Sequence, residues 1–546
     1  MGVRSAILLA LLAAASVSCG RAAGNYDVIV VGGGASGVPA GIQASRSGTR
    51  ALILEEGPWL GGMLTSAGVS AIDGNYRLRA GIFGEFCDSL AGRYGGYDAL
   101  RTGWVSNILY EPQVGAELFD AMTARCNGLD VLRNTSVLSL KKLRRGWKLL
   151  TDAGTFRCRV LIDCTELGDI ARAAGVSYAV GNSDGIIQDL TCVITIRDYG
   201  ESADMTIPEP EGYDAGAYRN CCVNPLNTEN PKGQALWSPQ MMLSYGRLPG
   251  GDVMLNWPID GNDFYANTID ATPQQRTDAY EKAKNKALGY LYFIQTELGL
   301  RNWGIAQGVY PTPDGLPLIP YFRESRRIAG EATFTFSDAA DPYSSGLYRT
   351  GVAVGDYPVD HHHFAHPEWR RLHKSYTAIP SFTVPAGAMV PLGVEDLIVA
   401  EKSISTDSII NGATRLHPVL MELGQAAGAM AALAVKHGCR VRDVNVRELQ
   451  TLLLDAGARI QPYLDLEPGD PDFAALQRVG STGALKAEGR NVLWSDEMWM
   501  NIADSSRLDS LRKIDASGLF TEEDVDWNGE LFPARQGSHR PCHSVR

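Results

Sequence analysis

The chain has 546 residues, 45% of them hydrophobic and 21% charged, the balance of an ordinary globular protein with room for two or three domains and a large core. A formal net charge of -12 argues against nucleic acid or an anionic membrane surface as the main partner, because both attract basic faces. Ten cysteines without a Cys-x-x-Cys pair argue against a disulfide scaffold, a structural zinc or a redox dithiol.

At the N-terminus Arg4 precedes an apolar run, Ala6 to Val17, that is too short to span a bilayer and is followed by small residues. Residues 1–23 therefore read as a secretory signal peptide, cut before Cys19 or near Ala22 or Ala23. The expected location is periplasmic, extracellular or lipid-anchored through Cys19, the alternative being a cytoplasmic enzyme with an apolar extension. No twin arginine is present.

The stretch YDVIVVGGGASGVPAGIQASRSGTRALILEEGPWLGGMLTSAG, Tyr26 to Gly68, carries the strongest signal. Val28 to Val31 is a short β-branched run, as expected of a strand buried on both faces of a parallel sheet. Gly32 permits a tight turn, Gly34 lets backbone approach a pyrophosphate, and Gly37 lets the next helix pack on the strand, with free N–H groups at the helix start facing the anion. Pro39 suits the first helical turn and Gly48 its end. A second strand, Ala51 to Leu54, delivers Glu55 about 20 residues after the turn, where a carboxylate binds ribose hydroxyls. That carboxylate would repel a 2'-phosphate, so FAD or NAD fits better than NADP.

Further along, VLRNTSVLSLKKL, GWKLLTDAG and TFRCRVLIDCT, between Val131 and Thr165, predict an antiparallel meander. Its last strand returns to the main sheet and sets Asp163-Cys164-Thr165 at the ligand crevice. Leu167 to Ala174 predicts a short helix ended by Gly175. The Pro-, Gly- and Asn-rich Asp198 to Gly233 marks loops of an inserted domain, which also holds a helix over Thr272 to Leu298. Cys221-Cys222 lie in those loops, where one of them could pair with another cysteine after export. From Ala386 the chain returns to the cofactor domain, with a strand at Asp396 to Ala400 and an apolar Ala- and Gly-rich helix at Pro418 to His437 that must be buried rather than cross a membrane. Amphipathic stretches at Val444 to Ala456 and Asp472 to Gly480 make the tail helical. The expected organisation is a leader at 1–23, an FAD-binding domain at 24–175 and 386–440, an inserted α+β substrate domain at 176–385 and a helical segment at 441–546. No integral membrane span is expected in the mature chain.

Five separated motifs occur in one order: GGGASG with LILEEGPWLGGM; IDCTELGDIARAAGVSYAVG; PLIPYFRESRRI; GVAVGDYPVDHHH; and EDLIVAEKSISTDSIINGATRLHPVLMELGQAAGAMAALA. Together they resemble the bacterial FAD-dependent oxidoreductases often labelled xanthan-lyase-like, a branch of flavoproteins with the glutathione-reductase fold. Cys164-Thr165-Glu166 stands where many flavoproteins of this fold have Ala-Thr-Gly. The resemblance implies an α/β fold with a Rossmann-like FAD-binding domain, and FAD as the cofactor. Gly61 to Gly68 contains no His or Cys, so that loop offers no covalent bond to flavin. Cofactor contacts are expected from Gly32, Gly34, Ala35, Ser36, Gly37, Glu55, Glu56, Gly61, Gly62, Met63, Val137, Thr165, Glu401 and Gly424.

Flavin chemistry needs a group that moves a proton and positive potential where reduction places charge. The helix start at Pro418 supplies a dipole, with Arg415 and His417 just before it. Arg323-Glu324-Ser325-Arg326-Arg327 reads either as a solvated charge run or as an oxyanion clamp carried by Arg323 and Arg326. Asp360-His361-His362-His363 offers no completed metal-ligand spacing, and His361 is the candidate general base. The expected activity is hydride transfer between FAD and a small polar, hydroxylated or sugar-like metabolite, with an unassigned electron acceptor. A fumarate-reductase-like reductase and a non-catalytic flavin-containing binding protein are the alternatives.

Overall fold

The computed structural model describes residues 22–227, 236–372, 377–489, 500–501, 512–513, 515–516, 520 and 524–532. The expected leader lies outside them, Cys19 included, apart from Ala22 and Ala23, which open strand β1.

Strand β1 (Ala22–Val31) pairs in parallel with β2 (Ala51–Leu54) on one side and with β6 (Gly154–Asp163) on the other. Beyond β2 lies β3 (Leu129–Leu132), also parallel. The far edge of β6 is shared: its first half pairs antiparallel with β5 (Trp147–Thr151), which pairs with β4 (Val137–Lys142), while its last residues pair in parallel with the Leu397–Val399 strand. The expected meander and the returning strand are therefore both present. Alternate residues of β1 enter different cores. Val28 and Val30 pack with the first helix and the long apolar helix; Ile29 and Val31 pack with Trp147, Leu149 and Phe156 of the meander. That two-sided burial is the reason the β1 sequence is a continuous β-branched run instead of an alternating one.

The first helix, Gly37–Arg46, and the long helix, His417–His437, cross in backbone contact. A Cβ on Gly424 would lie 2.0 Å from the Ser36 carbonyl oxygen, and one on Gly428 would lie 2.3 Å from that of Ala40. By length and apolarity the long helix could cross a membrane, yet every residue from His417 to Ala434 is buried inside the protein. It ends as its sequence predicts, with Lys436 and His437 in the last turn and Gly438 left-handed at the cap.

The inserted region has its own core, built from residues between Leu190 and Leu316. There the strands Ile194–Asp198, Val253–Leu255 and Trp303–Ile305 form one sheet, covered by helix Pro273–Thr296, whose start is fixed by a Thr272–Gln275 capping box. This unit is smaller than the sequence suggests. Ala332, Phe334, Val352 and Val384 pack into the cofactor-domain core, because the hairpin Gly351–Gly355 with Phe382–Pro385 lies against the long helix. The tail is not wholly helical either. Val446–Asp455 and Phe473–Thr482 are helices, but two short antiparallel pairs follow, Glu488–Gly489 with Met500–Asn501 and Asp524–Val525 with Leu531–Phe532. None of the eight cysteines among the described residues is in a disulfide; Cys221 and Cys222 stand with their sulfurs 3.7 Å apart.

Because the crossing leaves no room at Gly424, Gly424→Val should separate the two helices at the head of the cofactor turn. The expected outcome is a loss of about 1–3 kcal/mol, read as a lower midpoint in thermal or urea unfolding. An unchanged midpoint would show that the crossing tolerates side chains.

Candidate functional site

Two of the three fingerprint glycines are demanded by the chain itself. A Cβ on Gly32 would lie 2.3 Å from the Cys164 carbonyl oxygen, and one on Gly37 would lie 1.8 Å from that of Gly32. Gly34 differs: the nearest atom to a Cβ there is Glu166 Oε1 at 3.7 Å. Ala35 and Ser36, both fully buried, lead from the turn into the helix. Gly61, left-handed at φ 107°, donates its N–H to Gly33, so the Gly61-Gly62-Met63 segment closes over the turn. Gly62 lies so near that its Cβ would come 2.9 Å from the Gly34 Cα.

Glu55 stands at the end of β2, where its two carboxylate oxygens accept the N–H groups of Gly33 and Gly57, each at 2.7 Å. Burial pushes its carboxyl up to about 7. Glu56 beside it is exposed. Asn134 and Thr135 bond the Gly57 and Glu55 carbonyls, which brings Val137, the first residue of β4, to the same end. Thr165 bonds Asp163 through both N–H and hydroxyl, at 2.9 and 2.7 Å, and its hydroxyl accepts the Asp169 N–H.

Glu401 follows the Leu397–Val399 strand and accepts the Ser36 hydroxyl at 2.6 Å and the Ser36 N–H at 3.2 Å. Its other oxygen takes Lys402 at 3.0 Å, and Lys402 also binds Glu166 at 2.5 Å. Both carboxylates face a lysine that is fully buried, and their charges hold its ammonium above its usual range against the effect of burial. Gly424, expected among the cofactor contacts, is placed instead at the helix crossing, with the Ser36 backbone filling its space.

A second constellation gathers side chains from six distant segments. His362 lies between two carboxylates, Nδ1 3.1 Å from Asp263 and Nε2 3.2 Å from Asp360. Asp263 also receives Thr191 and Arg323, the latter at 3.1 Å. Asp360 receives Arg415 at 3.0 Å, and Arg415 donates its other terminal nitrogen to the Tyr321 hydroxyl. Burial works against charge on His362 and on both acids, and Arg323 opposes the imidazolium further; even so, the two carboxylates raise His362, while Arg323 and His362 lower Asp263, and His362 and Arg415 lower Asp360. The result is a buried row of paired charges. Asp73 lies within electrostatic reach of Asp360, Arg415, His362 and Arg323, and burial, with the Asp360 charge, pushes it up to about 7.

The five catalytic candidates separate. Arg323 and Arg415 both belong to this row. His417 lies at the first residue of the long helix, fully buried, with neither ring nitrogen hydrogen-bonded; the Val69 backbone faces the ring without closing a bond. Burial, then Arg415 and Lys402, hold it down to about 3, so it is a neutral imidazole. Arg326 is turned away from the row. Its guanidinium is fully buried and spans the two domains, giving its donors to the Leu167 and Ile269 carbonyls and to Asp169 and Asp270. His361 is also turned aside: Nε2 lies 2.9 Å from the Ile409 carbonyl oxygen, the ring stacks on His363, and burial lowers it to about 4. Adjacent residues of an extended segment face opposite ways, so His362 takes the place expected of its neighbour. The sequence reading missed Asp73, Asp263, His362 and Tyr321. Only His362 carried a local signal, its place in the His run.

These residues fit FAD. Gly34 is a glycine for which the chain itself leaves room, so the requirement for a bare backbone there belongs to a bound group. His417 places two unbonded ring nitrogens at a helix start, where the dipole favours an electron-rich atom. The glycine turn, Gly62, Met63 and Ser36 could hold the pyrophosphate, and Glu55 the adenosine ribose.

Glu55→Lys should therefore weaken retention of the cofactor, read as FAD released during gel filtration. Arg326→Ala should leave retention and flavin reduction unchanged while costing about 3 kcal/mol of stability. That is the low end for a broken buried pair, since Asp169 and Asp270 keep some contact with water. A slow flavin reduction in Arg326→Ala would return this residue to the active site.

Comparison with known proteins gives one extended match: the family model described as FAD dependent oxidoreductase covers residues 27–453. No curated protein matches the chain. Among solved structures, p-nitrophenol 4-monooxygenase from Pseudomonas putida DLL-E4 is 14% identical over 33% of this chain and 49% of its own, with a TM-score of 0.23. Glycine oxidase from Geobacillus kaustophilus is 15% identical over 32% and 63%, with a TM-score of 0.22, and T. acidophilum thioredoxin reductase is 22% identical over 29% and 40%, with a TM-score of 0.16. The chain spans about half the length of the monooxygenase. With the matched residues running from β1 through the glycine turn to the long helix and beyond, the chain belongs to the FAD-dependent oxidoreductases, and its cofactor is FAD.

Proposed function

We propose that this enzyme oxidises a small polar metabolite, hydroxylated or sugar-like, with the reacting carbon held beside Arg415 and Tyr321. The observation that carries this reading is Arg415 itself. It is a buried guanidinium two residues before the long helix, shared between the Tyr321 hydroxyl and the Asp360 carboxylate. FAD supplies the two-electron chemistry by taking a hydride from the substrate carbon or returning one.

The chain's own residues supply the rest. The Tyr321 hydroxyl accepts from Arg415, which leaves its proton free to point at a substrate oxygen, and the guanidinium polarises that oxygen. Asp360 fixes the guanidinium plane, and His362 fixes Asp360. Arg323, bound to Asp263, Thr191 and the Asp189 carbonyl, anchors the other end of the row to the inserted domain. His417, neutral at every working pH, can accept or donate a hydrogen bond without bringing charge to the helix start.

Anaerobic mixing of the purified holoenzyme with polyols, sugars and hydroxy acids tests the reading by bleaching of the oxidised flavin. At least one such compound should bleach it, and Arg415→Ala should slow the bleaching about 100-fold while FAD stays bound. If none does, and the photoreduced flavin is instead reoxidised by an unsaturated acid, the enzyme is a reductase and the reading fails.

A further inference from the structure

An oxidation of a hydroxyl carbon needs somewhere for the hydroxyl proton to go. In the row of paired charges, Asp263 and Asp360 are fully engaged, each by His362 and by an arginine. Asp189 has one carboxylate oxygen without a partner, but the other takes the Ala365 N–H and the residue has no surface left to reach. Asp73 shares the unpartnered oxygen but not the complete burial. Its Oδ1 is buried with no hydrogen-bond partner, yet the residue as a whole keeps some accessible surface.

Its position is also well fixed. Asp73 lies on the segment that continues from the Gly61–Gly68 loop, held on one side by the backbone bond from Ile72 to Ile108 and the Ala71–Leu109 bridge. On the other side, Asn75 donates its amide nitrogen to the Val354 carbonyl at 2.9 Å and to Glu422 of the long helix at 3.1 Å, and its backbone N–H to Asp356. Gly74 is left-handed, and a Cβ there would come 2.8 Å from the Asp356 carboxylate. Asp73 is thus carried on a braced turn, within electrostatic reach of Arg415 and Asp360.

We propose that Asp73 is the catalytic base of the oxidation, taking the substrate hydroxyl proton as the hydride leaves the carbon. This rests on the hydride-transfer reading above. The step balances: the substrate C–H bond breaks with its electron pair passing to FAD as hydride. The O–H bond breaks with its proton passing to the Asp73 carboxylate, and a C=O bond forms. Asp73 then returns the proton to solvent. The charged and titratable groups facing it are Asp360, Arg415, His362, Arg323, Tyr76 and Tyr245. Burial disfavours the charged carboxylate, and the Asp360 charge acts in the same direction. Together they hold Asp73 at about 7, where a base is half-available at neutral pH.

The test uses the holoenzyme with whichever compound bleaches its flavin. The reduction rate should rise with pH through a step near 7, the Asp73 position, and then level off. Asp73→Asn should lower the plateau on the order of 100-fold or more and abolish the step, with FAD content and visible spectrum unchanged. Asp360→Asn, which removes the repelling charge, should move the step to lower pH. Independently of turnover, the carboxyl 13C spectrum of aspartate-labelled protein should show, beside the Asp189 resonance, a second one titrating near 7 that disappears in Asp73→Asn. A variant that keeps both rate and step overturns the proposal, as does a labelled spectrum that Asp73→Asn leaves intact. If Asp73→Asn does not fold, the Asp360→Asn shift decides, and an unmoved step overturns it. Bleaching by no hydroxylated compound fails the hydride-transfer reading itself, whereas bleaching that Asp73→Asn leaves untouched fails the base alone.

Discussion

Two helices that meet backbone to backbone set the geometry on which the rest depends. Gly424 and Gly428, one turn apart, let His417–His437 lie directly on Gly37–Arg46 at Ser36 and Ala40. That contact brings the start of the long helix, with His417 and the preceding Arg415, to one end of the site while the glycine turn holds the other. A side chain at either glycine would pry the two ends apart. Ser36 is therefore at once a packing surface for Gly424 and a hydrogen-bond donor to Glu401, so packing and polar satisfaction are solved at the same residue.

The site's second constraint is electrostatic. Burying Arg323, Arg415, His362, Asp263 and Asp360 together removes each from water, and only their alternation of sign makes that tolerable. In the row each cation lies against a carboxylate, and His362 completes it by joining two acids. The neighbours that have no place in the alternation are pushed toward neutrality: His361, His363 and His417 fall, and Asp73 and Asp189 rise. A crowded charged site so produces, within a few residues of one another, groups locked in their charged state and groups held near the point of changing.

The cofactor domain was largely legible in the sequence, since its signals are local. The β-branched run, the three spaced glycines and Glu55 all sit within the 28 residues from Val28 to Glu55, in the order a dinucleotide turn requires. The charge row was only partly legible. Asp73, Asp263, Tyr321, Asp360 and Arg415 are scattered over more than three hundred positions, and a lone aspartate in a loop has no spacing to mark it. The apolar flanks of Arg323 to Arg327 do indicate burial, and all three arginines are buried. What the flanks cannot supply is a partner: Arg323 meets Asp263, whereas Arg326, three residues on, turns to the other domain. The extent of the inserted unit was misjudged for a related reason. Composition marks where loops begin, but whether Gly351–Gly355 packs on the long helix is decided by its strand partner Phe382–Pro385.

Arg326 has a bearing on motion. Its guanidinium binds the Leu167 carbonyl and Asp169 on the cofactor side and the Ile269 carbonyl and Asp270 on the inserted side, and Arg276 adds a second pair to Asp169. Swinging the inserted domain away would have to break these charge-assisted bonds together, which favours the joined arrangement. The cap is tied to the cofactor domain at this seam. Of the movements that would open the charge row, those of side chains and loops leave this seam intact.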